Sequence, residues 1–226
     1  MQVKAVLFDI DGTLVDSNDF HVAAWKQAFR EAGHTIDADA IKGQIGKGAD
    51  MLVPALIPEA DEAAQDRLGK AHGSIFKARY LESVVLFPQA HELLRHTSDR
   101  GQKVILASSA SKEELDHYIN LLNASDLVDA GTSSDDVENT KPAPDIFSTA
   151  LKKVGGIEPE EAIVVGDTPY DVEAAAKCGV AAVGLLSGGF PEEALRSAGA
   201  VAIYADVAAL LAGYDQSPLA ASSPLP

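Results

Sequence analysis

Cysteine is almost missing. Cys178 is the single one among 226 residues, so no internal disulfide can form and a reducing, cytoplasmic setting is expected. Basic residues are also scarce: lysine and arginine total 18 against 34 aspartates and glutamates, a formal net charge of −16. That acidic surplus opposes binding to phosphate backbones and argues against a nucleic-acid partner. No apolar run approaches the roughly 18 residues that a membrane span needs, so no membrane partner is expected. The opening apolar run carries Lys4 and is broken by Asp9, and does not read as a signal peptide. No internal repeat is present. With 46% hydrophobic and 23% charged residues, the chain can bury an ordinary core, as one large domain or as one domain carrying a smaller insertion.

Short β-branched apolar runs punctuate the chain. Val3–Phe8 is bounded by Asp9-Ile10-Asp11-Gly12, and further runs lie at Lys103–Ala107, Ala162–Val165, Val180–Leu185 and Val201–Tyr204. Amphipathic stretches of helical length separate them. Pro88–Thr97 precedes the second run. Ser111–Leu122 opens with the S-x-x-E of a capping box, and Pro142–Val154 and Pro169–Cys178 start with proline and stop at glycine. This alternation predicts a parallel sheet covered on both faces. From Ser17 to Phe87 the pattern is helical only, broken by Gly33, Gly43, Gly46 and Gly48. The expected class is therefore α/β, a Rossmann-like doubly wound parallel sheet with an inserted all-helical lid over its carboxyl edge. The boundaries are 1–16 and 88–214 for the sheet domain, 17–87 for the helical insertion and 215–226 for a Ser/Pro/Ala-rich tail.

Ligands of doubly wound sheets bind where strands end. Asp9 and Asp11 follow the first run, Ser108 and Ser109 the second, and Lys141 sits before Pro142. Asp167 follows the third run, Ala162–Val165, with Asp171 four residues on. Three or four carboxylates so gathered resist ionising unless a cation sits among them, and hard oxygen ligands in an open site suit Mg²⁺. A phosphoryl group bridging metal and lysine is the natural electrophile. One carboxylate could attack it to form an aspartyl-phosphate while another, two residues on, handles protons. Each residue alone has an ordinary alternative: a helix cap, a turn aspartate, an exposed lysine. Their joint placement at strand ends and helix starts favours the site.

These segments resemble the signatures of the haloacid dehalogenase superfamily. Phe8-Asp9-Ile10-Asp11-Gly12-Thr13-Leu14-Val15-Asp16-Ser17 is similar to its D-x-D-G-T motif, and Ile105-Leu106-Ala107-Ser108 to its second motif. Lys141-Pro142-Ala143-Pro144-Asp145-Ile146-Phe147 is similar to the third motif, and Gly166-Asp167-Thr168-Pro169-Tyr170-Asp171 to the G-D-T-x-x-D fourth. All four occur in order, and together they are specific. The resemblance implies Asp9 as nucleophile, Asp11 as general acid/base, and Ser108 and Lys141 on the phosphoryl group. It implies Mg²⁺ held by Asp9, the Asp11 backbone carbonyl and Asp167, with Asp171 in support. Gly12 and Ser109 are expected at the substrate, and residues 17–87 as the helical C1 cap.

Within that cap, Gly43–Asp50 is a glycine-rich loop but not a Walker loop. Its Lys47 either meets a substrate anion or is simply solvated. His21 and Trp25 resemble the first cap helix of β-phosphoglucomutases, where the matching histidine engages the general acid/base; a hinge contact is the plainer alternative. Two departures favour hydrolysis over mutation: Gly166 stands where mutases carry a metal-binding glutamate, and no clear arginine follows Gly46. The expected activity is a Mg²⁺-dependent phosphatase for a small phosphorylated metabolite of phosphoglycolate or sugar-phosphate type, acting as a monomer or homodimer. A β-phosphoglucomutase-like transferase or a pyrophosphatase is the alternative. A signalling receiver would put its acidic pair and its phosphorylated aspartate on different strands, and a dinucleotide-binding protein needs glycines where Asp9 and Asp11 stand.

Overall fold

A computed structural model describes residues 2–221. Six parallel strands build the main sheet: β1 (Ala5–Phe8), β4 (Lys103–Ala107), β5 (Ala130–Thr132), β6 (Ala162–Gly166), β7 (Ala181–Leu185) and β8 (Ala202–Tyr204), in the order β5-β4-β1-β6-β7-β8. A two-stranded antiparallel ribbon, β2 (Val15–Asp16) with β3 (Val85–Leu86), stands apart. The central strands are apolar on both faces, as a doubly covered parallel sheet requires. Successive side chains alternate between faces. Val6, Phe8, Val104, Leu106, Ile163 and Val165 join one core, and Ala5, Leu7, Ile105, Ala107, Ala162 and Val164 the other.

The register sets the site. Phe8 pairs with Leu106 and with Val165, so the residues that follow these strands emerge side by side at one edge. Around the sheet pack α5 (Ala90–Asp99), α6 (Lys112–Leu121), α7 (Asp145–Val154), α8 (Pro169–Lys177), α9 (Glu192–Ala198) and α10 (Val207–Ala212). The capping box at Ser111 forms, the Ser111 hydroxyl standing 3.4 Å from the Glu114 backbone nitrogen while the Glu114 carboxylate accepts from the Ser111 backbone N–H at 2.9 Å. A second box at Thr168 and Asp171 starts α8.

Between β2 and β3 run α1 (Asn18–Glu31), α2 (Ala38–Lys42), α3 (Ala49–Leu56) and α4 (Glu62–Arg79). Trp25, Phe29, Ile41, Ile45, Leu52, Val53, Ile57 and Leu68 form an apolar core of their own there. The ribbon β2–β3 gathers both chain crossings into this helical block.

The segment read as a tail divides. Residues 215–221 pack against the sheet domain: Leu219 is fully buried, its carbonyl accepts from Gln102 Nε2 at 2.7 Å, and Ala221 O accepts from Val3 N–H at 3.2 Å. An apolar side chain with a place beside the β1 end is held there despite the Ser- and Pro-rich composition around it. Residues 222–226 lie outside the described residues. No helix among the described residues is long and apolar enough to cross a membrane.

Candidate active site

Asp9 leaves β1, Asp167 leaves β6, and Asp171 sits in the first turn of α8. One carboxylate oxygen of each lies within 4.8 Å of the others, and all three side chains are buried. Lys141 is wholly buried beside them. It donates to Asp9 Oδ1 and to the Ala107 carbonyl at 3.0 Å, and its ammonium lies 2.7 Å from Asp171 Oδ1 as an ion pair. Thr13 Oγ1 stands 2.9 Å from Asp167 Oδ1 and 3.3 Å from Asp9 Oδ2, so its one proton serves either carboxylate. Asn18 Nδ2 donates to Asp167 Oδ2 at 3.1 Å.

Three carboxylates face one ammonium here. Burial, partly offset by the Lys141 charge and reinforced by Asp171 and Asp11, pushes the Asp9 carboxyl up to about 7. Burial and the charges of Asp9 and Asp171 push Asp167 well above the usual carboxylate range. For Lys141 burial is outweighed by Asp171 and Asp9, which hold the ammonium charged above its ordinary value. If all three acids ionise, the excess is two negative charges, the deficit that one divalent cation fills.

The surroundings fit such an ion. The donors are hard carboxylate oxygens. Two glycines close around Asp167 with no room for a side chain: a Cβ on Gly12 would lie 2.2 Å from Asp167 Oδ2, and one on Gly188 only 1.7 Å away. Asn18 Oδ1, buried next to Asp167, has no hydrogen-bond partner among the described residues. Asp9, Asp167 and Asp171 together could bind a metal ion.

Asp11 turns away from this cluster. Its Oδ1 receives Ser17 Oγ at 2.6 Å, Tyr118 OH at 2.9 Å and His21 Nε2 at 3.1 Å, and Ser108 Oγ stands 3.4 Å from Oδ2. Burial works against its ionisation, but the His21 charge and these hydrogen bonds prevail and hold the carboxyl at about 2. Burial likewise opposes a charge on His21, and Asp11 overcomes it, so the imidazole stays protonated above its ordinary value. His21 Nδ1 meets His72 Nε2 at 3.2 Å. Burial and the neighbouring His21 charge keep His72 neutral, well below the usual histidine range, so its Nε2 accepts a hydrogen bond from His21 Nδ1–H. His72 stacks on Trp25 at 4.2 Å, and His21 stacks on Phe76 at 3.9 Å. Helices α1 and α4 thereby set the tilt of the imidazole at Asp11.

A cleft of about 860 Å³ opens between the helical block and the sheet edge, with Asp9, Asp11, His21, Ser108, Ser109 and Lys47 on its wall. Lys141, Asp167 and Asp171 lie behind Asp9, off that wall. Ser108 Oγ accepts from the Ala110 backbone N–H at 3.0 Å, and Ser109 Oγ donates to Gly46 O at 3.1 Å. Lys47 donates to Gln44 at 2.6 Å and lies 4.2 Å over the Tyr170 ring, held against the wall rather than free in solvent. Gly12 is not a cleft residue. Its φ of +76° and its close approach to Asp167 require glycine, and its N–H already donates to Val15 O at 2.9 Å. Thr13, Ser17, Asn18, Tyr118 and Gly188 were not singled out from the sequence. Thr13 closes the D-x-D-G-T motif and Ser17 stands four residues beyond it; the others reach the site through tertiary packing.

The fold and this acidic centre define a doubly wound α/β hydrolase with a helical insertion after its first strand. A model of haloacid dehalogenase-like hydrolases matches residues 6–185, and the chain belongs to that family. A phosphoglycolate phosphatase of Rhodospirillum rubrum is 30% identical over 217 residues, covering 92% of this chain and 89% of its own. Arabidopsis thaliana protein SUPPRESSOR OF QUENCHING 1, chloroplastic, is 34% identical over 179 residues, 77% of this chain but only 17% of that protein. Among solved structures, a hydrolase from Pseudomonas syringae superposes with a TM-score of 0.87 at 32% identity, covering 94% of this chain and 98% of its own.

Proposed function

We propose that the protein is a Mg²⁺-dependent phosphatase that hydrolyses a small phosphorylated metabolite, of phosphoglycolate or sugar-phosphate type, through a phosphate ester of Asp9. One observation carries this reading. Asp9 stands between the open cleft and a buried set of Lys141, Asp167 and Asp171, while Asp11 beside it shares a proton with His21.

Asp9 Oδ1 is tied to Lys141, which leaves Oδ2 to attack phosphorus. As the new Asp9–phosphorus bond forms, the bond to the ester oxygen breaks. Asp11 delivers to that oxygen the proton held by the His21–Asp11 pair. In the second half, water attacks the phosphorus, Asp11 takes a proton from the water, and the Asp9–phosphorus bond opens to release inorganic phosphate. Ser108, on the cleft wall, donates to a phosphoryl oxygen, and Lys141 keeps Asp9 oriented and ionised. Asp9, the Asp11 carbonyl and Asp167, with Asp171 in support, would hold the Mg²⁺, which would supply positive charge to offset the phosphoryl oxygens. The helical block acts as a cap that closes the cleft to bulk water.

Hydrolysis is favoured over mutation by two features. A Cβ on Gly166 would lie 2.5 Å from the Asp171 Cβ, so a glutamate before Asp167 has no space. No arginine is among the described residues on the cleft wall to grip a second phosphate. The test is a panel of phosphoglycolate, sugar 6-phosphates, β-glucose 1-phosphate and pyrophosphate, scored by kcat/KM with Mg²⁺ present. The expected result is phosphate release from monoesters. Conversion of β-glucose 1-phosphate to the 6-phosphate faster than phosphate release would replace this reading with the mutase.

A further inference from the structure

The glycine-rich loop and α3 reach across the cleft to one residue of the sheet domain, Thr140, which directly precedes Lys141. The Thr140 backbone N–H donates to Asp50 Oδ2 at 2.8 Å, and its hydroxyl donates to Asp50 Oδ1 at 2.5 Å. The hydroxyl in turn accepts from the Gly48 backbone N–H at 2.8 Å. Both oxygens of one carboxylate are thus committed to the backbone N–H and the hydroxyl of one threonine, between segments that are 90 residues apart. The fit is tight, because a Cβ on Gly48 would lie 2.5 Å from Thr140 Cγ2. Two lesser straps run beside it, from Ser109 Oγ to Gly46 O at 3.1 Å and from Tyr170 OH to Gly43 O.

Asp50 touches none of the reacting groups, yet it fixes the backbone one residue before Lys141. The Lys141 ammonium has little slack of its own, since it donates to Asp9 and to the Ala107 carbonyl and is ion-paired with the Asp171 carboxylate at 2.7 Å. A shift of the chain at 140–141 therefore pulls the ammonium away from Asp9. We propose that Asp50 is a positioning residue, through which seating of the helical block on the sheet domain sets the placement of Lys141. Closing the cleft and orienting Asp9 then become one event: with the block lifted, the Asp50–Thr140 bonds are lost and Lys141 is freed to wander. The kinetic part of this inference rests on the phosphatase reading; the mechanical coupling does not.

The experiment compares Asp50→Ala, Thr140→Val (close to threonine in shape, without the hydroxyl) and Thr140→Ser, which keeps the hydroxyl. Hydrogen exchange is followed by mass spectrometry in peptides spanning 43–50 and 138–144, and Mg²⁺-supported release from p-nitrophenyl phosphate is measured alongside. Asp50→Ala and Thr140→Val should speed exchange roughly tenfold in both peptides, the scale of one lost hydrogen bond to a charged group. The kcat should fall by a similar factor while KM moves less than about twofold, and Thr140→Ser should behave as wild type in both measurements. Faster exchange in 43–50 with none in 138–144 would overturn the coupling, as would wild-type kcat in Thr140→Val. If the wild-type protein releases no phosphate at all, the phosphatase reading fails, and the exchange result alone decides whether Asp50 couples the two segments.

Discussion

His21 presents Nε2 to Asp11 Oδ1 at 3.1 Å, and the two side chains share a single proton between a carboxylate held at about 2 and an imidazole held above its ordinary value. The proton that a leaving ester oxygen needs is stored on the pair, chiefly on His21, across the neutral range.

His21→Gln removes that store. Without the imidazolium, burial raises the Asp11 carboxyl, opposed only by Ser17 and Tyr118. At the acid end of the profile the carboxyl then carries its own proton, and the variant approaches wild-type turnover. At about pH 8 it is ionised with no donor behind it, and kcat should be down roughly tenfold or more. The deficit must therefore grow as pH rises; a deficit constant across the kcat–pH profile would reduce His21 to a packing role.

Asp167 is predicted to cost stability in the metal-free protein, because burial and the charges of Asp9 and Asp171 oppose its ionisation. Asp167→Asn should leave the metal-free urea midpoint no lower than wild type. Mg²⁺ at about a hundredfold over its dissociation constant should stabilise the wild-type protein by about 2.7 kcal/mol, a rise of about 5–10 °C in Tm for a chain of this size. Asp167→Asn should lose that rise. Equal Mg²⁺ shifts in both proteins, read by calorimetry, would move the metal away from Asp167.

Leu219 lies in the stretch whose composition reads as a tail, yet it is fully buried. Leu219→Ala should cost about 2–5 kcal/mol in urea unfolding. A cost within about 0.5 kcal/mol, as for a surface position, would mean that the segment is not seated in solution.

Much of this was legible in the residues. Asp9, Ser108 and Asp167 each come just after a short β-branched run, and parallel strands in register deliver such positions to one edge; Lys141 precedes Pro142, but the helix expected from Pro142 starts only at Asp145. Other parts carry no local signal. Strand β5 is Ala-Gly-Thr, poor in β-branched residues, and is a strand only because β4 lends it a ladder. Ribbon β2–β3 has two residues on each side. Tyr118 meets Asp11 across 107 residues, and Asn18 meets Asp167 across 149; no period or spacing encodes such pairings. Gly12 shows the opposite case, where the motif was visible but its physical reason, the nearness of Asp167, was not.

The central claim is that Asp9 carries the phosphoryl group. In Asp11→Asn protein turning over p-nitrophenyl phosphate with Mg²⁺, the second half-reaction is slowed by the lost base, so an acyl phosphate accumulates. Acid quenching, borohydride reduction and peptide mass spectrometry convert that acyl phosphate to homoserine. Homoserine is predicted at position 9 and at neither position 167 nor position 171. Homoserine at either of those two, or steady phosphate release with none at position 9, would contradict it.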